Sequence, residues 1–231
     1  YIKQAYIIIK NINGDVLSYG YSGDGGKFIS DKKKSELPNI INIEVDVSEG
    51  KNTMFNDDTL SKTIMNLSSY ALKNEIDENN RYYVTPLTTI LYNIVKDSTI
   101  TESNINTNKQ TVATHFGIDK NNIISDYNKD KLTSVKSKLV QFDLILNGLY
   151  EIILNQELDI DFNRIYKEAS KYIKNNNINL TDNVKINTII NDILNIILPN
   201  GITVESYGIS YLLTSISSYL SKVNKNIDTI F

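Results

Sequence analysis

The chain has 231 residues, of which 41% are hydrophobic and 22% are charged, with a formal net charge of -3 at pH 7. This composition supports a folded core. It lacks the excess of basic residues that is typical of nucleic-acid-binding proteins, so we expect no nucleic-acid partner. The sequence contains no cysteine and a single histidine, His115, which excludes disulfides, thiolate chemistry and two-histidine metal sites. No apolar run approaches the roughly 20 residues of a membrane span, so we expect no membrane insertion.

The first 47 residues predict β-structure. Residues 6–9 are a β-branched run, Asn13-Gly14 is a hairpin signal, and residues 16–21 can form the second strand. A glycine-rich turn at residues 22–26 then leads into residues 27–30. Residues 41–47 alternate with period two, which predicts a half-buried strand whose water-facing side chains are Asn42, Glu44 and Asp46.

Residues 48–80 form a transition, and the pattern from residue 84 onward is helical. Between residues 59 and 72 the apolar positions fall at helix-like spacing, namely Ile64, Leu67, Tyr70 and Ala71. Thr85 then predicts a helix cap with Pro86 at the first helical position. A capping box from Thr99 to Glu102 predicts a second helix, which ends near Gly117.

Further helices are predicted at residues 131–155, after Asp161, between Thr181 and Pro199, and at residues 204–223. We therefore expect an α+β chain with two parts. Residues 1–80 form a small N-terminal antiparallel β-sandwich-like module, and residues 81–231 form an all-α helical bundle. Because Tyr1 opens within an apparent strand, we expect the chain to be a piece of a longer protein.

Two stretches carry a resemblance to a known class of module. Residues 5–9, the turn Asn13-Gly14-Asp15 and residues 24–28 resemble the start of a carboxypeptidase-regulatory-like (prealbumin-like) β-sandwich, in which the last of these begins the third strand. Residues 83–90, Tyr-Val-Thr-Pro-Leu-Thr-Thr-Ile, are similar to a V-(S/T)-P-L-T-T-L segment that follows such sandwiches in large exported bacterial proteins. There the next helix ends in Gly-Leu/Ile-Asp, matched here by residues 117–119.

The resemblance implies an exported protein, extracellular or at the cell surface, whose modules act as spacers or adhesive units. Its partners would be neighbouring modules of the same polypeptide and a surface glycan or protein. The resemblance carries over no catalytic residue. Related turns in some surface modules hold Ca²⁺, so Asn13, Asp15 and Asp24 are candidate oxygen ligands, but the leading expectation is that the chain has no cofactor. An ordinary polar hairpin turn explains the same residues without a metal.

Tyrosine is the unusual component of the composition, with 15 residues against 6 phenylalanines and no tryptophan. Tyr19 and Tyr21 share a strand face, and Tyr207 and Tyr211 share a helix face. Tyrosine is favoured at binding surfaces because it combines apolar area with a polar tip, so these four are candidate ligand-binding residues. Tyrosines that border a small core are the alternative.

The ionisable residues predict no enzyme. His115 is expected at a helix C-terminus, where a cation is favourable, and the acidic cluster Glu157, Asp159 and Asp161 is expected to cap a helix. The leading hypothesis is therefore a non-catalytic structural or adhesive module. One alternative is a carbohydrate- or peptide-binding module with tyrosines in a groove between the two parts. Another is a cytoplasmic or phage-encoded scaffold.

Overall fold

A computed structural model of the chain describes residues 2–47, 66–79, 81–126, 142, 145–146, 148–150, 153, 162–176 and 183–198. Its strands are β1 (Tyr6–Asn11), β2 (Val16–Tyr21), β3 (Ile40–Asp46) and β4 (Leu67–Leu72). Its longer helices are α1 (Pro86–Val95), α2 (Glu102–Phe116), α3 (Phe162–Asn175) and α4 (Asn183–Ile197).

The four strands form one antiparallel sheet in the order β2-β1-β3-β4. β1 pairs on one side with β2, where Tyr6 lies opposite Tyr21, and on the other side with β3, where Ile9 lies opposite Ile43. The longer helices all follow this sheet along the chain. The α+β class predicted from the sequence is therefore confirmed.

The turn between β1 and β2 is held by its own polar side chains. The Asn11 side-chain oxygen accepts hydrogen bonds from the backbone N–H groups of Asn13 and Asp15, each at 2.9 Å. Gly14 has a φ of 93°, a left-handed conformation that glycine adopts without steric cost. The hairpin predicted from Asn13-Gly14 is confirmed.

One side of the sheet, here called the core face, carries a continuous set of buried aliphatic side chains: Ala5, Ile7, Ile9, Ile41, Ile43, Val45, Leu67, Ala71 and Ile76. Phe28 and Leu37, from the segment that follows β2, pack against this set. Residues 27–30 are irregular chain and not the third strand that the resemblance implies. Phe28 lies over Gly20 of β2, where an added Cβ would stand 2.6 Å from the phenylalanine ring.

The helix-like spacing at residues 67–72 was misleading, because these residues form β4. Leu67 and Ala71 belong to the core face, whereas Tyr70 and Leu72 belong to a second apolar cluster with Leu91 of α1. Since both sides of β4 are covered, its buried residues form a nearly continuous run and do not alternate. Spacing alone cannot distinguish such a strand from a short helix.

α1 and α2 begin with threonine caps. α1 begins at Pro86, and Thr85 accepts a hydrogen bond from the Thr88 N–H, as predicted. The cap of α2 is Thr101, whose hydroxyl accepts from Asn104 N–H at 3.2 Å, and not the predicted Thr99. The predicted end of α2 is confirmed, since Gly117 follows it with a φ of 61°.

By backbone contacts the chain divides into two compact units, Tyr1–Lys109 and Gln110–Phe231. The sequence-based boundary lies after residue 80, so the observed first unit includes α1 together with the sheet. In the second unit α3, the helix predicted after Asp161, buries an apolar stripe: Phe162, Ile165, Tyr166, Ala169 and Ile173. Phe142, also in this unit, lies edge-on to the rings of Phe116 and Tyr166.

Candidate functional site

Three tyrosines form a cluster on the side of the sheet opposite the core face. Tyr6 of β1 lies between Tyr19 and Tyr21 of β2, with ring centroids 6.3 Å and 5.2 Å away. Tyr19 is 66% exposed and Tyr21 is 45% exposed. We call this cluster, together with the adjoining exposed Val16, the tyrosine face. It presents aromatic area to solvent on a rigid strand pair.

A polar group borders the tyrosine face on its β3 side. Because side chains alternate along a strand, Lys10 and Glu44 point to the same side of the sheet as Tyr6 and Tyr19. Lys10 Nζ donates to Glu44 Oε2 at 2.6 Å, and Asn42 Nδ2 donates to Glu44 Oε1 at 2.8 Å. Both carboxylate oxygens of Glu44 therefore accept hydrogen bonds from neighbouring strand residues.

A tilted tyrosine pair from β4 and α1 lies on the same side of the sheet, where Tyr70 is opposite Asn42. The ring centroids of Tyr70 and Tyr92 are 4.7 Å apart. Burial, followed by the nearby Tyr92 hydroxyl, raises the pKa of Tyr70 well above its ordinary value. Burial, followed by the charge of Glu44, also raises the pKa of Tyr92. Both phenols are therefore neutral at physiological pH and serve as hydrogen-bonding groups of the packed interior.

The two edges of the sheet differ in what covers them. At the β4 edge, Thr89 Oγ1 of α1 accepts a hydrogen bond from the Ser68 N–H at 3.0 Å. The hydroxyl oxygens of Thr88 and Thr89 also lie 3.3 Å from the Ser68 carbonyl oxygen, and each lies closer to the Thr85 carbonyl oxygen, at 2.9 Å and 3.0 Å. The α1 N-terminus therefore covers the Ser68 backbone of that edge. At the β2 edge, the described residues place no further strand beside Tyr19.

The candidate calcium ligands do not come together in this fold. Asn13 and Asp15 lie in the turn before β2, whereas Asp24 follows the other end of that strand. Asp15 Oδ2 accepts from Asn11 Nδ2 at 2.8 Å, and Asp24 pairs with Lys3 at 3.1 Å. Six strand residues separate the two positions by about 20 Å. The described residues contain no group of three or more acidic or histidine side chains arranged for a metal ion.

Among the remaining sequence candidates, the structure describes His115. Tyr207 and Tyr211 lie outside the described residues, as do Asp159 and Asp161. His115 is half-buried, and its Nδ1 hydrogen-bonds to the backbone carbonyl of Ile173, which is one of the last carbonyl groups of α3. This contact is consistent with the structural role expected of a helix-terminal histidine.

A shallow depression in the first unit is a second candidate surface. Its volume is about 270 Å³, and it is lined by Lys34, Asn39, Leu72, Lys73, Asn74 and Glu102. Lys34 Nζ donates to the Ile76 carbonyl, and Lys73 Nζ donates to the carbonyls of Ser35 and Leu37. The two ammonium groups of these lining residues therefore donate to backbone carbonyls of neighbouring loops.

Tyr6 and the Lys10–Glu44 pair were not singled out from the sequence. The available signal was the alternation along β1 and β3, but the strand register that unites these side chains with Tyr19 is a tertiary property. In the described ranges no helix has both the length and the apolar character of a membrane span. Comparisons with protein-family models, curated proteins and solved structures found no match to this chain.

Proposed function

We propose that this chain is a non-catalytic structural or adhesive module of a larger exported bacterial protein, located extracellularly or at the cell surface. The observation that carries the proposal is the tyrosine face, where Tyr19 is two-thirds exposed beside Tyr6 and Tyr21. Large aromatic groups held on a rigid strand give contact area at low entropic cost, which is a property of adhesive surfaces.

The hydrogen bonds between α1 and β4 support the structural part of the proposal. Residues 84–90, which carry the resemblance to exported proteins, cap α1 and attach it to the Ser68 backbone. Leu87 and Ile90 of the same segment are fully buried. Within the first unit the segment joins sheet to helix, which suits a module that transmits load along a chain of modules. The proposal includes the finer organisation expected from the sequence, a β-sandwich-like module followed by a helical bundle.

Adhesion of beads that carry the purified chain tests this function. We expect beads with the wild-type chain to adhere to each other or to surfaces coated with glycan or protein. A Tyr19→Ser/Tyr21→Ser variant should lose at least about tenfold in adhesion, because tyrosines are typical interface hot spots. Ile29→Ser is the matched control, since Ile29 is 90% exposed and lies outside the tyrosine face.

Two outcomes would contradict the proposal. One is equal adhesion by the wild-type chain, the tyrosine variant and uncoated beads. The other is turnover of a sugar or peptide substrate by the isolated chain that is abolished by His115→Ala without a loss of folding. The second outcome would establish an enzyme.

The second candidate function is carbohydrate or peptide binding, favoured by the polar group beside the tyrosine face. Exposed aromatic rings next to Glu44 and Asn42 combine apolar area with hydrogen-bonding groups. Saturable binding of a soluble oligosaccharide or peptide by the wild-type chain, lost in Tyr19→Ser, would favour this candidate over adhesion between modules.

A further inference from the structure

We infer that the β2 edge pairs in antiparallel fashion with β2 of a second copy of this chain, with Tyr19 of one copy opposite Tyr19 of the other. Such pairing joins two four-stranded sheets into one. It rests on the proposed adhesive function and identifies the partner of the tyrosine face as another copy of the same module.

β2 lacks two of the features that keep sheet edges apart, charged side chains and proline, although its pairing with β1 is irregular between Val16 and Ser18. Natural edge strands carry lysine, proline or inward-pointing charges, or are covered by another element. The β4 edge is covered by Thr88 and Thr89 of α1. β2 reads Val-Leu-Ser-Tyr-Gly-Tyr, without a charge or a proline, and its Val16 and Tyr19 side chains are 54% and 66% exposed.

The backbone of β2 is oriented for this pairing. Ser22 faces β1, because its N–H donates to the Ala5 carbonyl and its carbonyl accepts from the Gln4 N–H. In an antiparallel ladder the backbone groups of successive residues point to alternate sides, so Tyr19, three residues earlier, points to the open edge. A two-fold axis at Tyr19 allows the two copies to exchange a pair of N–H···O bonds there.

The charges on this face favour a second copy over a glycan. Glu44 accepts hydrogen bonds from Lys10 and from Asn42, so both of its carboxylate oxygens are already engaged before a sugar hydroxyl arrives. An uncharged edge meets its own copy without like-charge repulsion, and a two-fold contact requires only that one surface complement itself. The aromatic rings of the two tyrosine faces would then lie side by side across the seam.

Sedimentation of the complete 231-residue chain tests the pairing. One short strand and a few side chains from each copy form an interface at or below about 1,200 Å², which is typical of weak complexes. We therefore expect a reversible monomer–dimer equilibrium between about 10 µM and 1 mM, independent of added ligand. A chain that remains monomeric throughout this range overturns the inference.

Charge substitutions at Tyr19 test the register. Tyr19→Lys and Tyr19→Glu should each be monomeric because like charges meet across the two-fold axis, and an equal mixture of the two should form dimers again. Ile29→Lys and Ile29→Glu, at an exposed position outside the face, should dimerise as the wild-type chain does. Circular dichroism checks folding, and Val16→Lys replaces any Tyr19 variant that does not fold.

The results separate this inference from the proposed function. Dimers that persist in Tyr19→Lys, or variants that fail to recover on mixing, overturn the β2 pairing. A monomeric chain whose Tyr19-dependent adhesion is directed to a glycan- or protein-coated surface overturns the inference but leaves the adhesive function intact. A wild-type chain that shows no Tyr19-dependent adhesion to any of these surfaces contradicts the proposed function itself.

Discussion

At the scale of single residues, the first unit contains a buried ion pair that joins distant parts of the chain. Lys109 of α2 pairs with Glu75, and their side chains are only 3% and 14% exposed. The second oxygen of Glu75 accepts a hydrogen bond from the Leu72 N–H at the end of β4. The pair therefore fixes α2 to the chain that leaves the sheet.

Removing the cation alone should destabilise the first unit. Lys109→Ala leaves the Glu75 carboxylate buried without its partner, so we expect the free energy of unfolding to fall by about 3–5 kcal/mol. Urea unfolding followed by circular dichroism measures the loss. Lys3→Ala is the control, since its pair with Asp24 is exposed and should contribute less than about 1 kcal/mol. Equal losses in the two variants would contradict the importance of burial.

The Tyr70–Tyr92 pair predicts a dependence of stability on alkaline pH. Burial raises the pKa of both phenols above their ordinary value of about 10. The stabilisation from the neutral phenols is therefore complete below that pH and is lost as the pH rises through the folded-state pKa values. Urea unfolding between about pH 8 and pH 11 should show this loss.

A double variant isolates the tyrosines from other groups that titrate in the same range. Tyr70→Phe/Tyr92→Phe should show a smaller fall in the free energy of unfolding above about pH 10 than the wild-type chain. Superimposable curves for the wild-type chain and the double variant would exclude this origin of the pH dependence.

At the scale of elements, α1 has two functions that depend on the same threonines. Thr85 and Thr88 exchange the hydrogen bonds of a capping box, which starts the helix. Thr89 donates to the Thr85 carbonyl at 3.0 Å and accepts from Ser68 of β4. The helix start is therefore also the cover of the β4 edge, which leaves β2 as the edge available for pairing.

Replacing the hydroxyl that contacts β4 should loosen the sheet from α1. Thr89→Val keeps the side-chain volume but leaves the Ser68 N–H without this acceptor, which should cost about 1–3 kcal/mol. Hydrogen exchange at the Ser68 amide should also accelerate. Thr99→Val, at an exposed loop position, is the control and should change stability by less than about 0.5 kcal/mol. Unchanged exchange at Ser68 would contradict the role of the hydroxyl.

At the scale of the whole molecule, one helix crosses the boundary between the two compact units. Residues 102–109 of α2 belong to the first unit, where Ile105 joins the apolar cluster of Leu91 and Tyr70. Residues 110–116 belong to the second, where Phe116 packs edge-on against Phe142 at 5.8 Å. Each half of α2 therefore contributes to the core of its own unit.

Breaking α2 at the boundary should destabilise both units together. Gln110→Pro removes a helical hydrogen bond at an exposed position and should cost about 3 kcal/mol or more. Gln110→Ala keeps the helix and is the control. Unfolding monitored at Tyr70 of the first unit and at Phe116 of the second, by residue-resolved hydrogen exchange, should show losses in both. A loss confined to one unit would contradict the shared role of α2.

The elements with strong local signals could be predicted from the sequence. β2 matches its predicted bounds, and α1 begins at Pro86 after Thr85, because turn and cap chemistry acts within a few residues. β4 could not be predicted, because helices cover one of its faces and the core covers the other, so no alternation remains. The candidate site was predicted in part, as Tyr19 and Tyr21, from the alternation of β2.

The sequence by itself determined the α+β class, the β1–β2 hairpin, the start of α1 and the pair of tyrosines on one strand face, since each depends on contacts between near neighbours in the chain. Only the tertiary structure decided that Tyr6 joins these tyrosines, that α1 covers the β4 edge, and that Lys109 pairs with Glu75. These contacts join residues 13 to 34 positions apart, and strand register and helix packing, rather than local pattern, bring them together.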